Sequence, residues 1–259
     1  MIPKRIHYIW FGGNELPPLA LKCIKSWEKY CRGFEIVRWD ESNFDISVCP
    51  PYVIEAYENK KWAFVTDYVR LKIIYEQGGI YFDTDVEVVK KIDKLLTDQA
   101  YFGFEGIGGV LRVNTGLGFG AEKGNTLIKA MMDDYENARF VMPDGSFDLT
   151  PCPQRNTEVL MRYGLSCDGK MQMLDGARIY PTEYFCPMDF VTGRIKKTHK
   201  TYTIHRFSAS WQSEAEREYL EEKRRYLRRE KYLRFPKKIL TRLLGKKRFD
   251  ALKNKIKRG

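Results

Sequence analysis

Gly78-Gly79-Ile80-Tyr81-Phe82-Asp83-Thr84-Asp85-Val86 decides how the rest of the chain is read. Two glycines end a predicted helix, and the apolar run after them has the character of a buried strand. Two carboxylates one residue apart close it. Side chains alternate faces along a strand, so Asp83 and Asp85 are expected to point the same way. Like charges on one face repel, and a divalent cation such as Mg²⁺ or Mn²⁺ suits a hard oxygen ligand set. The stretch therefore points to an ion and a phosphate-bearing ligand.

Working outward, Lys61 to Gln77 has a broad apolar surface from Val65, Tyr68, Val69, Leu71, Ile74 and Tyr75 and is predicted helical. Asp67 and Arg70 stand three apart, so they share a face of that helix. They are either a surface ion pair worth a few tenths of a kcal/mol or ligand contacts. Upstream, Arg5 to Phe11 reads as a buried strand closed by Gly12-Gly13. Pro17-Pro18 opens a helix over 19–31 with Leu21, Ile24 and Trp27 (or Cys31) on one face, and Phe34 to Trp39 is a second strand. This β-α-β opening favours a parallel α/β sheet. A short helix is expected over 53–59.

Downstream, Val86 to Val89 continues extended and Tyr101 to Phe104 is a strand. Leu111 to Gly120 is glycine-rich and extended, suited to a close backbone approach, with Asn114 as a candidate polar contact. It lacks the Lys-Ser/Thr ending of a phosphate loop. Helices are expected over 125–140, with Asn125 as cap, and over 153–163. Arg178 to Pro181 and Tyr184 to Pro187 read as extended, and Thr201 to His205 as a last strand ending in a histidine. His7 within the first strand is read as structural.

Composition sets limits. The apolar fraction of 43% and charged fraction of 31% are those of a soluble globular chain. No apolar run reaches the roughly 18 residues of a bilayer span, and the N-terminus lacks a signal-peptide core, so a cytoplasmic protein is expected. The six cysteines form no Cys-x-x-Cys pair, which signals neither a zinc site nor a disulfide framework. Residues 1–213 carry 27 basic and 27 acidic side chains. Residues 214–259 carry 18 and 7, so the whole net charge of +11 lies in the tail. The expected organisation is a neutral body, 1–213, and a basic helical tail, 214–259. In the tail Ile239-Leu240 and Leu243-Leu244 make an apolar stripe among lysines and arginines. That pattern suits a helix on an anionic membrane surface, the alternative being a solvated helix pair packed on the body. Aromatics do not alternate with the basic residues at the end of the tail, which argues against nucleic acid.

Ile6-His7-Tyr8-Ile9-Trp10-Phe11-Gly12-Gly13, the run from Asp67 and Arg70 to Asp83 and Asp85, and His205-Arg206-Phe207-Ser208-Ala209-Ser210-Trp211, in this order, resemble the sugar-binding-region (DxD) glycosyltransferases. This is the family 32 group of capsule and lipopolysaccharide enzymes, related to clostridial glucosylating toxins. The resemblance covers about residues 2–211 and leaves out the tail. Pro153 to Thr157 is similar to a family Gly-Pro-x-x-x-Thr turn, with Cys152 in place of the glycine.

The resemblance implies a GT-A fold, a mixed, mostly parallel sheet flanked by helices, and a Mn²⁺- or Mg²⁺-dependent, retaining transfer from a nucleotide sugar, UDP-sugar favoured, to a glycan or lipid-linked acceptor. It implies that Asp85 binds the metal directly, and Asp83 through water or the ribose or sugar hydroxyls. Asp67 and Arg70 would hold the donor sugar, Trp10 would stack on the nucleobase, and His205 would be a third metal ligand. Ser210 and Trp211 would close over the leaving diphosphate. Two other readings compete. A haloacid-dehalogenase-type phosphatase also places Asp-x-Asp after a strand, but Glu87 stands where that motif has Thr or Val. A membrane-surface adaptor with a non-catalytic sugar-nucleotide site is the non-enzymatic alternative.

Overall fold

The computed structural model describes residues 1–208, 215 and 218–227. In chain order the elements are β1 (Arg5–Ile9), α1 (Pro18–Tyr30), β2 (Glu35–Trp39), α2 (Pro51–Glu58), α3 (Trp62–Gln77), β3 (Gly79–Tyr81) and β4 (Val86–Val88). Then come β5 (Ala100–Ile107), β6 (Val110–Val113), β7 (Phe119–Ala121), α4 (Thr126–Asp133), α5 (Cys152–Arg162), β8 (Gln172–Leu174), β9 (Ala177–Tyr180), α6 (Thr182–Phe185) and β10 (Thr203–His205).

The main sheet runs β2-β1-β3-β7-β5-β9-β8, with β6 paired to β5. The pairs β1–β2, β1–β3 and β5–β9 are parallel, whereas β7 is antiparallel to both β3 and β5. Strands β1, β2, β3, β5 and β9 consequently all point one way, and β6, β7 and β8 oppose them. This is the expected mixed, mostly parallel sheet. Beside it β10 and β4 form a separate antiparallel pair.

The core gathers Val65, Val69, Ile73 and Ile74 of α3, Phe102 and Phe104 of β5, and Leu127, Ile128 and Met131 of α4. Burying a Leu, Ile, Phe or Met side chain contributes roughly 1.5–3 kcal/mol. Helix α1 buries Ala20, Cys23 and Trp27, and Cys31 just after it is buried too; of the face expected, Trp27 and Cys31 point inward and Leu21 is exposed. Trp27 is fully buried, and its indole N–H donates to Val86 O at 2.7 Å. That bond fixes the first residue of β4, next to Asp85.

The junction of α3 and β3 needs its glycines. Gly78 and Gly79 have φ of +67° and +110°, a region most side chains avoid. A Cβ on Gly79 would also sit 2.8 Å from Arg5 O. His7 braces the junction. Its Nδ1 accepts from the Trp39 indole at 3.0 Å, so Nε2 carries the proton and donates to Gly78 O, also at 3.0 Å. Burial pulls its pKa down to about 4, which keeps it neutral.

Three local expectations need correction. The helix expected over 125–140 ends at Asp133, because Phe140 and Val141 donate their N–H groups to the Glu55 carboxylate at 2.8 and 3.0 Å, which draws the chain onto α2. Thr182 to Phe185 is one helical turn begun by Pro181, where an extended segment was expected. The glycine-rich run divides into β6, a 3₁₀ turn at Thr115–Leu117 capped by the Asn114 side chain, and β7.

The chain divides into two compact units, Met1–Asp189 with Arg194–Trp211, and Phe190–Gly193 with Gln212–Gly259. In the second, residues 218–227 are helical and Arg224 donates to Phe190 O. The rest of the expected basic tail, including the Ile239 to Leu244 stripe, lies outside the described residues. Among those described, no helix is long and apolar enough to cross a membrane.

Candidate active site

The acidic pair converges for a reason other than strand alternation. β3 ends at Tyr81, and Asp83-Thr84-Asp85 forms a turn into β4, closed by Val86 N–H donating to Asp83 O at 3.0 Å. β10 then sets His205 opposite Val86. One ligand atom each from Asp83, Asp85 and His205 lies within 4.8 Å of the others. An octahedral ion with bonds of about 2.0–2.1 Å spans ligand pairs about 3–4 Å apart, so modest contraction closes this set. The two carboxylate oxygens suit a hard divalent cation such as Mn²⁺ or Mg²⁺, whereas the imidazole nitrogen is a ligand more usual for transition metals.

Asp85 is the more constrained carboxylate. It is 6% exposed, its Oδ2 accepts Ser208 N–H at 2.7 Å, and its Oδ1 lies 3.2 Å from His205 Nε2. Phe207 reaches φ +52°, an unusual value for a bulky residue, and so turns the next N–H toward Asp85. Burial would raise the Asp85 pKa, but His205 and the Ser208 N–H outweigh it and hold the group at about 2. Burial also opposes charge on His205, yet Asp85 and Glu105 push its pKa up to about 10. His205 must therefore lose a proton before Nε2 can ligate an ion. Glu87, the residue that breaks the phosphatase pattern, pairs with Arg206 and ties this segment to β4.

Asp83 is organised from the other side. Arg70 Nη1 donates to its two oxygens at 3.2 and 3.3 Å, and the Tyr81 hydroxyl donates at 2.9 Å. Burial raises the Asp83 pKa, and Arg70 offsets only part of that rise. Arg70 is 3% exposed and also pairs with Asp67 one turn back. Its Nη2 contacts Cys152 Sγ at 3.2 Å, and its Nε has no hydrogen-bond partner among the described residues.

The structure thus brings Asp67, Arg70, Asp83, Asp85 and His205 into one constellation. Asn114 joins it through the 3₁₀ turn, where its Oδ1 accepts Gly116 N–H at 2.6 Å. Trp10 is half-buried, and its indole N–H donates to Asn14 O at 2.7 Å. Among the described residues, no hydrogen bond or ion pair joins it to this constellation. Ser210 and Trp211 lie outside the described residues. Sequence reasoning missed Tyr81, Glu105 and Gly116. A lone glutamate directly after the apolar run Tyr101 to Phe104 is the signal that could have found Glu105.

Gly116 carries a direct prediction. A Cβ there would collide with the Asp83 carboxylate and lie 3.0 Å from Asn114 Oδ1 and 3.2 Å from Arg70 Nη1. Gly116→Ala should cost roughly 1–3 kcal/mol, read by urea unfolding. Divalent-cation affinity should fall with it, and unchanged cation affinity would mean that Asp83 is free to move aside.

The fold and this constellation define an α/β domain built around an Asp-x-Asp turn. Residues 17–102, which include Asp67, Arg70, Asp83 and Asp85, match the family described as "Glycosyltransferase sugar-binding region containing DXD motif". The chain is 35% identical over 103 residues to an inositol phosphoceramide mannosyltransferase of Schizosaccharomyces pombe, covering 39% of this chain and 29% of that protein. It is 35% identical over 101 residues to an uncharacterized glycosyltransferase of Acanthamoeba polyphaga mimivirus, covering 37% and 40%. The aligned part is thus less than half the length of either relative. A solved glycosyltransferase involved in glycosylation of the PBCV-1 major capsid aligns at TM-score 0.46 and 15% identity, covering 83% of this chain and 98% of that one.

Proposed function

We propose that the chain is a divalent-cation-dependent, retaining hexosyltransferase. It moves a sugar from a nucleotide-sugar donor, UDP-sugar favoured, to a glycan or lipid-linked acceptor in capsule, exopolysaccharide or lipopolysaccharide synthesis. The observation that carries this reading is the convergence of Asp83, Asp85 and His205 beside the buried Asp67–Arg70 pair. Asp83, Asp85 and His205 would hold Mn²⁺ or Mg²⁺. When bound, the ion neutralises the negative charge that grows on the leaving diphosphate.

The protein groups divide the remaining work. Asp67 and Arg70 bind and orient the donor sugar. Tyr81 and Arg70 hold Asp83 in place, while Ser208 N–H and His205 hold Asp85, so neither carboxylate has to reorganise during transfer. Both are engaged in this way, which favours same-face attack assisted by the leaving phosphate over a carboxylate base or nucleophile. Trp10 is assigned to the nucleobase, Asn114 to the donor, and Ser210 and Trp211 to the leaving diphosphate. A name such as inositol phosphoceramide mannosyltransferase supports a lipid-linked acceptor. The basic tail would then hold the enzyme on the anionic inner face of the cell membrane, in the cytoplasm.

The test is a panel of nucleotide sugars with Mn²⁺, followed by nucleoside diphosphate release and thermal stabilisation. A turned-over donor present at about 100 times its Kd should add about 2.7 kcal/mol of apparent stability. Stabilisation without turnover of any donor would favour the adaptor, and no response to any donor would sink both readings.

A further inference from the structure

Glu105 is a carboxylate in the wrong place for a structural strand residue. It lies on β5 next to the fully buried Phe104 and is itself 7% exposed. A buried charge costs several kcal/mol unless it is paired and hydrogen-bonded. Its partners belong to the site on both sides. Oε2 accepts from Asn114 Nδ2 at 2.8 Å and faces His205 Nδ1 at 3.7 Å. That His205 nitrogen is buried and has no hydrogen-bond partner among the described residues. The separation exceeds a hydrogen bond by well under 1 Å, within reach of a small turn of the ring.

The geometry fixes Glu105 before it meets His205. The β5–β6 ladder pairs Glu105 with Arg112 and sets its direction. Asn114 has one orientation available, because its Oδ1 is committed to Gly116 N–H, which leaves Nδ2 for the glutamate. Across from it, the β10–β4 pairing fixes the His205 backbone opposite Val86, and Nε2 already points at Asp85. A carboxylate on the far nitrogen of a metal-binding imidazole orients the ring and selects its tautomer.

We infer that Glu105 is a positioning residue that holds His205 by Nδ1–H, turns Nε2 toward Asp83 and Asp85, and so sets the divalent-cation affinity of the site. The inference rests on the cation reading above, and its test does not pass through glycosyl transfer. The bland alternative is a glutamate that only neutralises a buried histidine. That role would show in stability and not in cation affinity.

The experiment is Mn²⁺ binding to the full chain, without nucleotide sugar, followed by electron paramagnetic resonance. Glu105→Gln should weaken Mn²⁺ roughly 10–100-fold, with Glu105→Asp intermediate and available if the glutamine variant does not fold. In a His205→Ala background the same change should weaken Mn²⁺ by less than about two-fold, because coupled residues lose their effect together. With Mg²⁺ bound, the His205 Nδ1–H proton should resonate downfield in the wild type, as a carboxylate-bound imidazole proton does, and move upfield in Glu105→Gln. Wild-type affinity in Glu105→Gln, or an equal loss with and without His205, would overturn the inference while leaving the cation site standing. A wild-type chain that binds neither Mn²⁺ nor Mg²⁺ would overturn both.

Discussion

Asp85→Ala should abolish cation-dependent release of nucleoside diphosphate from a nucleotide sugar, a loss of at least ~10²–10³-fold in kcat. The size follows from what Asp85 does alone. It is the buried carboxylate of the pair, aligned by Ser208 N–H and His205 and ionised well below neutral pH. Asp85→Asn keeps the shape and removes the charge, so it should fall nearly as far. The pH dependence has a definite sign. His205 titrates at about 10 without the ion, so each ion bound by Nε2 displaces a proton, and cation affinity should rise with pH across the neutral range. In Asp85→Ala that slope should flatten, because the carboxylate that raises His205 is gone. The Asp85–His205 pair also stabilises the fold. His205 contributes while it is protonated, a contribution present below its unfolded pKa and lost as pH rises through about 10. Asp85 contributes above its unfolded pKa, a contribution lost as pH falls toward about 2. The comparison therefore belongs near pH 7, with folding checked by circular dichroism. Activity equal to wild type in a folded Asp85→Ala protein would remove the metal reading.

The parts of the site that sit at the ends of regular elements were legible in the chain. Gly78-Gly79 announced the helix-to-strand junction, and both glycines have the positive φ that such a junction requires. His205 was readable as the end of a last strand. Asp67 and Arg70 were readable as sharing a helix face, and they do pair. The physical cause given for the acidic pair was incomplete. Period-two alternation predicts same-facing carboxylates, but the strand stops at Tyr81 and a turn brings them together. Sequence spacing cannot separate those cases, because a two-residue offset serves both. What was not legible depends on contacts between distant segments. Glu105 meets His205 across 100 positions, Cys152 meets Arg70 across 82, and Glu55 pulls Phe140 out of a helix that propensity alone would extend. No local pattern reports such encounters, because the sheet order that creates them is itself a tertiary outcome.

Arg70→Ala should be the most destabilising single change in the site, costing about 3 kcal/mol, the lower end of the range for breaking a buried ion pair. The guanidinium is 3% exposed and serves two carboxylates and a thiol. Its removal leaves Asp67 and Asp83 without their cation. The lower end applies because the Asp83 side chain retains 31% exposure and water can screen part of its charge. Asp83→Asn alone should cost less, since Arg70 keeps Asp67. The double variant Arg70→Ala with Asp83→Asn should recover part of the single loss, a coupling of about 0.5–3 kcal/mol. Acid should narrow the deficit. Burial already raises the Asp83 pKa, and loss of Arg70 raises it further. A carboxyl whose folded-state pKa lies above its unfolded value costs stability once it ionises, and protonation relieves that cost. Urea unfolding of wild type and Arg70→Ala should therefore converge as pH falls from 7 toward the carboxylate range. A deficit that stays constant, or an additive double variant, would mean that Arg70 stabilises by packing and not by charge. Arg70→Lys separates these two roles. It keeps one positive charge but cannot engage Asp67, Asp83 and Cys152 at once, so it should recover part of the stability and little of the donor binding.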